Sequence, residues 1–460
     1  MNINAFRHYG KLMIDLVANY WGSLRKRTPL PGVKPGFMNK LIPQDPPIMG
    51  EPWEEIFNDI DKIIIDGNTH WQHPNFFAYF PTGISYQAIM GDILSGGLAS
   101  IGFSWKSSPS MTELEMSMTN WLAKALQLPA EFLNTENGCG MGIIQTSASD
   151  ATYIAIVAAR GRAIERIKAS EDAIKQEQKI VSDDSGELYH YPYHDPAIMT
   201  KLVVYCSDQA HTSVEKGSMM AAVRLRKLKT IRGGPFDNFF VTAKVLEEAI
   251  MIDRKNGLVP FIFIMTLGTT SSCGIDPVDE LGPICSFLLC PEYRYLSRGF
   301  EYLDSFNVNA HKALPINFDC SPMWFRNGKQ ILKYFKINAV YLKHDQTCAT
   351  DYRTVELAKN FETLIQKDSL LELFLPRTFG TICFRIKDST NAMNEELNRR
   401  INEDRRIHIV ASAIHGIYFL RLSVCSPLTT HEDISQAHAI IHNFAKDVLK
   451  NMKRTNIAQA

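Results

Sequence analysis

Leu202-Val203-Val204-Tyr205-Cys206, followed at once by Ser207-Asp208-Gln209-Ala210-His211, is the stretch that decides how this chain folds. Five apolar residues bounded by small polar ones are too few for a buried helix and suit a strand covered on both faces. Moving outward, β-rich runs recur at 223–228 (VRLRKL) and 261–268 (FIFIMTLG). Helical patterns lie around them, at 111–127, from Ser149 to about Ala173, and in VTAKVLEEAIMIDRKN, which stops at Gly257. Such alternation predicts an α/β domain with a mostly parallel sheet over residues 84–350. From 351 to 460 the order changes to a helix (TVELAKNFETLIQ), strands FGTICFRI and GIYFLRLSVC, and a closing helix near 431–451. That is a small C-terminal α+β domain.

The first 83 residues read differently. Phe6, Tyr9, Met13, Leu16 and Tyr20 fall at steps of three and four, and a second helix from Pro52 aligns Trp53, Ile56, Ile60 and Ile64. A basic segment broken by Pro and Gly separates them. Two such helices enclose little core of their own, so their apolar faces are expected to pack on something else, and a partner subunit is the candidate.

Composition narrows the function classes. The 460 residues are 45% hydrophobic and 21% charged, with 49 basic and 49 acidic side chains. A balanced charge gives no field for nucleic acid or a membrane surface. No apolar run approaches the roughly 18 residues of a membrane span, and the N-terminus lacks a signal-peptide core. Nine cysteines are scattered without a disulfide framework or a zinc pattern. The expectation is a reduced, cytoplasmic protein with no metal site.

Three segments carry chemistry together. Gln145-Thr146-Ser147-Ala148-Ser149-Asp150 opens a long helix with small polar residues, which suits a phosphate and equally suits a plain N-cap. Asn309-Ala310-His311-Lys312 follows the apolar run ending in Phe306. A lysine among apolar residues resists protonation, and a neutral amine is what Schiff-base chemistry needs. His311 by itself reads as a packing histidine. His211 lies beyond the carboxyl end of a parallel strand, where ligands bind and where an imidazole can stack on a flat ring. Phosphate cradle, lysine and stacking imidazole match the needs of pyridoxal phosphate.

On these residues the chain resembles the pyridoxal-phosphate-dependent group II amino-acid decarboxylases, in the branch acting on aromatic L-amino acids and its histidine-specific relatives. The matching segments include HPNFFAYFPTG, IGFSWKSSPSMTELE, QTSASDATY, YCSDQAHTSVEK, TLGTTSSCG, DSFNVNAHK, NFDCSPMW and VYLKHD, in family order through nearly the whole chain. The resemblance implies the type I aminotransferase-like architecture and a homodimer with interlocked N-terminal helices. It implies that Lys312 joins the cofactor covalently and that His211 stacks on its ring. Ala148, Ser149, Thr270 and Asn309 then hold the phosphate and its surroundings. Thr82 and Trp71 line the substrate pocket, with Tyr79, Phe80, Ile101 and Phe103 as apolar walls, some across the dimer interface. Tyr341 matches the family's mobile-loop tyrosine, which returns a proton to the substrate carbon and separates simple decarboxylation from aldehyde synthesis.

Two segments of the family pattern are missing. After Gly282-Pro283-Ile284-Cys285 the family has a strand ending in His-x-Asp-Ala-Ala-Tyr-Ala-Gly, whose Asp pairs with the pyridine nitrogen; here the chain passes straight to Ser286-Phe287-Leu288-Leu289. Asp276, Asp279, Glu280 and Asp304 are the nearby substitutes. A helical segment rich in Arg, Leu and Trp is absent after Asp351-Tyr352-Arg353, and with it a position that helps separate histidine from aromatic substrates. Matching sequence resumes at once on both sides of each gap. Ala310 and Ala313 stand where the family usually has Pro and Trp. The leading reading is decarboxylation of an aromatic L-amino acid such as L-dopa or 5-hydroxytryptophan to the amine and carbon dioxide. The alternatives are a catalytically impaired paralogue or truncated isoform, and a histidine decarboxylase.

Overall fold

The computed structural model describes residues 1–458 apart from 81, 103–104, 176–192, 235–236, 278–298, 336–351, 379, 425 and 427. Its contacts divide the chain into two compact units, Met1–Tyr334 and Phe335–Ala460.

The first unit opens with α1 (Ile3–Ser23), capped by the Asn2 side chain, which accepts from the N–H groups of Asn4 and Ala5. Then come α2 (Trp53–Asp59), continued by a π-helical turn (Ile60–Ile65), α3 (Tyr86–Leu98) and α4 (Pro109–Ala125). Neither α1 nor α3 buries a single residue. The α/β part runs β1 (Met141–Gln145), α5 (Ala148–Lys175), α6 (Pro196–Met199), β2 (Leu202–Ser207), α7 (Thr212–Met220) and β3 (Arg224–Leu228). It continues with a hairpin, β4 (Ile231–Gly233) and β5 (Asn238–Phe240), then α8 (Ala243–Lys255) and β6 (Val259–Ile264). The last elements are β7 (Ser305–Asn307), α9 (Ala310–Ala313), β8 (Ser321–Phe325) and α10 (Gly328–Phe335).

The strands form two separate three-stranded sheets. β3-β2-β6 is parallel, with β2 at its centre and buried along its whole length. β1-β8-β7 is antiparallel. β6 pairs with β2 on one side and β7 with β8 on one side; among the described residues neither has a strand partner on its other edge. α5 packs on both sheets: Ile156 joins Val204 and Cys206 in one core cluster, and Ala151 and Ala158 join Met323 and Phe325 in another. The helix thus contributes to the cores of both sheets.

The second unit contains α11 (Tyr352–Lys367), β9 (Leu371–Thr378), β10 (Thr381–Ile386), α12 (Asn391–Asp404), β11 (Val410–Ile414), β12 (Ile417–Ser423) and α13 (His431–Ala458). Its antiparallel sheet, in the order β11-β12-β10-β9, is covered by the three helices around Phe361, Phe384, Leu397, Leu420 and Ile441. β10 alternates half-buried and buried residues, the period expected of a strand with one covered face.

Candidate active site

The parallel order of β2 and β6 puts their carboxyl ends on one side, and the chain leaving β7 reaches α9 within three residues. A cavity of about 1090 Å³ opens there. Its walls include Ala148 and Ser149 from α5, His211 after β2, Thr270 after β6, and Asn309 and Lys312 around α9, together with Phe80. Residues from five places in the sequence therefore meet in one space. Trp71, Tyr79, Thr82 and Ile101 are not part of this wall. Trp71 and Tyr79 stack on each other instead, ring centroids 5.4 Å apart, and the carbonyl of Thr82 accepts a hydrogen bond from Gln72 at 2.6 Å. Phe103 and Tyr341 lie outside the described residues.

Each polar group is held by local structure. Ser147 caps α5, its hydroxyl accepting the N–H of Asp150 at 3.1 Å. His211 caps α7, its Nδ1 accepting the N–H of Ser213 at 3.1 Å. The imidazole is held below its usual pKa, first by desolvation and then by the charges of Lys312 and Lys216. His311 behaves as a packing residue: it is buried, accepts the N–H of Cys320 at 3.0 Å and stands edge-on to Phe318. Asn309 Oδ1 is buried without a hydrogen-bond partner among the described residues. Lys312 itself is exposed toward the opening.

These residues fit pyridoxal phosphate in most respects. The first N–H groups of a helix lack intrahelical acceptors and suit a phosphate. A lysine amine, a fixed imidazole and an orphaned amide oxygen face the same space. The ring nitrogen is the exception. Asp304 is the one carboxylate among the described residues of the wall, and Arg162 grips it through two hydrogen bonds of 2.6 Å. Those bonds hold its carboxyl below the usual range. Asp304 also precedes β7 whereas Asn309 follows it, which separates the two by about 16 Å of extended chain. Asp276 does not serve either. It is buried and bound to the N–H groups of Val241 and Thr266, at 2.9 and 3.0 Å, away from the cavity wall. Asp279 and Glu280 lie outside the described residues.

Comparison with known proteins decides the family. The model for the pyridoxal-dependent decarboxylase conserved domain matches residues 35–417. The chain belongs to the pyridoxal-dependent decarboxylases. Aromatic-L-amino-acid decarboxylase of Manduca sexta is 39% identical, covering 94% of this chain and 90% of that protein. The enzyme of Cavia porcellus is 39% identical over 502 aligned positions, covering 98% and 99%. Because the chain has 460 residues, at least 42 of those positions (502 less 460) have no counterpart in it. Among solved structures, Catharanthus roseus tryptophan decarboxylase in complex with L-tryptophan aligns with a TM-score of 0.64 at 30% identity, covering 97% of this chain and 99% of that one. Rhodiola rosea 4-hydroxyphenylacetaldehyde synthase aligns at 0.63 and 28%, covering 97% and 99%. The protein is therefore a pyridoxal-phosphate-dependent decarboxylase in fold and family.

The cavity wall includes residues 261–268 and 302–307, which carry β6 and β7. Residues 278–298, between β6 and β7 in the chain, include the place where the sequence lacks a family strand and lie outside the described residues. Among the described residues no side-chain cluster is arranged to hold a metal ion, and no helix is long and apolar enough to cross a membrane. Sequence reasoning missed Arg162 and its pairing with Asp304. The partners lie 142 residues apart and no local pattern joins them.

Proposed function

We propose that the chain removes the α-carboxyl group of aromatic L-amino acids, releasing carbon dioxide and the amine, as a homodimer. The observation that carries this reading is the meeting of Lys312, His211 and the N-terminus of α5 in one cavity. When bound, pyridoxal phosphate supplies an electron sink for the pair left by the departing carboxylate. Lys312 would hold the cofactor covalently, and the His211 ring, its pKa lowered by desolvation and by Lys312 and Lys216, would stack on its ring. The first turn of α5 with Ser149 holds the phosphate, and Thr270 and Asn309 complete that end. Phe80 offers the substrate an apolar wall. Tyr341 is assigned the return of a proton to the substrate carbon, on the family pattern alone.

The aromatic substrate class rests on the relatives, which are named for aromatic amino acids. The homodimer rests on exposed apolar stripes. Met90, Ile93, Leu94 and Leu98 on α3, and Met111, Leu114, Met118 and Trp121 on α4, are all open to solvent at helical spacing. Apolar surface of that extent marks an interface, and a second copy is the occupant that the interlocked dimers of the family suggest.

The test is the visible spectrum of the protein with pyridoxal phosphate beside Lys312→Ala, then carbon dioxide release from L-dopa, 5-hydroxytryptophan and histidine. A Lys312-dependent band and release from the aromatic substrates support the reading. Release from histidine alone replaces it with a histidine decarboxylase. A band without turnover indicates the impaired paralogue, aldehyde with ammonia an aldehyde synthase. No Lys312-dependent band refutes the cofactor assignment for this chain.

A further inference from the structure

Asp150 lies in the first turn of α5, beside the proposed phosphate cradle. One of its oxygens, Oδ2, accepts from the hydroxyl of Thr146 at 2.5 Å and from that of Ser147 at 2.7 Å. Ser147 is in the cavity wall; Thr146 and Asp150 are not. The Ser147 oxygen is also engaged, accepting the N–H of Asp150. A serine hydroxyl has a single hydrogen to give, and here Asp150 takes it. The same two hydroxyls hold the Asp150 carboxyl below its usual range, so it is charged at neutral pH.

We infer that Asp150 is a positioning residue that stands in for the cofactor phosphate, occupying from within the chain the hydroxyl hydrogen of Ser147 and the positive end of α5. This rests on the cofactor reading above. An acid in the first turn complements the helix dipole, which steadies α5 before cofactor arrives. A phosphate seeking the same turn meets that charge as a like charge. Near solvent, repulsion between a dianion and a nearby carboxylate changes binding by about threefold to tenfold. Ser147 must also turn its hydrogen from Asp150 to the phosphate. Cofactor affinity is therefore set as a contest between an internal anion and an external one.

The experiment compares equilibrium binding of pyridoxal phosphate with that of pyridoxal, which has the same aldehyde and ring but no phosphate. The full-length chain is set beside Asp150→Asn, with Asp150→Ser as a second neutral variant and Asp150→Glu to keep the charge. The neutral variants are expected to bind pyridoxal phosphate about threefold to tenfold more tightly, with pyridoxal unchanged. Asp150→Glu is expected to keep the parent's ratio of the two affinities. Without cofactor, the neutral variants are expected to melt lower than the parent chain. Unchanged or weaker binding of pyridoxal phosphate by both neutral variants overturns the inference, as does a parallel shift in pyridoxal. If the parent chain binds neither compound, the cofactor reading itself has failed and this inference falls with it.

Discussion

The N–H of Gly83 donates to the carbonyl of His311 at 2.6 Å, tying the turn after the aromatic segment to the helix that carries Lys312. The approach is close enough to exclude any side chain: a Cβ on Gly83 would stand 1.9 Å from the carbonyl oxygen of Leu314 and 2.8 Å from its carbon. Both are backbone atoms, so no change of rotamer relieves the clash. The chain at Gly83 can approach the Leu314 backbone this closely only because residue 83 is glycine, and Phe80, three residues earlier, lines the cavity. Gly83→Ala is expected to cost about 2–4 kcal/mol of stability and to remove the Lys312-dependent absorption band. Thermal melting and the visible spectrum check both, and an unchanged band rules out the packing argument.

His211 gives the site a pH dependence whose sign follows from its cap. Nδ1 accepts the Ser213 N–H only while it carries no proton, and the folded pKa is depressed by desolvation, Lys312 and Lys216. A base depressed on folding is protonated more readily in the unfolded chain. The stability it confers is present above the unfolded imidazole value of about 6.5 and declines as pH falls below it. The melting temperature of cofactor-free protein is expected to fall between pH 7 and pH 5.5. His211→Asn, which keeps a capping group without titrating, should flatten that slope by about 2 °C. An identical slope in the variant would show that other groups carry the effect.

Much of this was legible in the sequence, for reasons that differ by element. β2 announces itself because both faces are buried, and α8 because Thr242 caps its start and Gly257, with φ of 72°, follows its end. β8 was missed. Its pairing with β1 joins residues about 180 positions apart, and its Pro322 reads locally as a breaker. β9 was missed for a similar reason, as Pro376 and Arg377 interrupt its apolar run. In the candidate site, Lys312, His211 and Ser149 sit at element ends, where strand and helix patterns already point. Trp71, Tyr79 and Ile101 are large apolar residues that the sequence assigns to a pocket and that a single chain leaves in solvent.

Asp253 anchors the parallel sheet to α8. It is fully buried and accepts from the Tyr205 hydroxyl at 2.7 Å and from Arg226 Nε at 2.7 Å, with a further bond from the same guanidinium. Arg226 holds its carboxyl below the usual range, with the Tyr205 bond adding to this against burial. A depressed carboxylate contributes stability above its unfolded value, about 3.9, that is lost as pH falls through the folded one. Asp253→Ala strands a buried phenol and a half-exposed guanidinium, and is expected to cost about 2–3 kcal/mol. Urea unfolding at pH 7 and at about pH 2.5 checks this: the difference between parent and variant should narrow at the lower pH.

The dimer reading makes its own demand on α3 and α4. Leu94 and Trp121 are 62% and 67% exposed in the single chain, an arrangement that costs free energy unless a partner covers them. Leu94→Asp with Trp121→Glu places charges in the proposed interface, where they stay unpaired and desolvated. Light scattering coupled to size exclusion is expected to move from twice the 52.0 kDa chain mass to the single chain. A parent that already runs as the single chain, or a double variant that stays at twice the chain mass, would refute the interface.

The family strand missing from the sequence sets the last expectation. Among the described residues β6 pairs with β2 alone and β7 with β8 alone, and both contribute to the cavity wall. The carboxylate the family places on that strand has no equivalent in the described wall, since Asp304 belongs to Arg162. A pyridine nitrogen without an anionic partner protonates less readily, and each unit of lost pKa is worth about 1.4 kcal/mol. Turnover by this chain is accordingly expected to lie roughly two to four decades below that of its aromatic-amino-acid relatives, while pyridoxal phosphate still binds. Inserting a strand ending in His-x-Asp-Ala-Ala-Tyr-Ala-Gly between Cys285 and Ser286 should recover most of that loss. The same insertion with Asn for the new Asp should restore the melting temperature and leave turnover low. Equal gains from the two insertions would assign the defect to the gap in the sheet, and no gain from either would place it elsewhere in the chain.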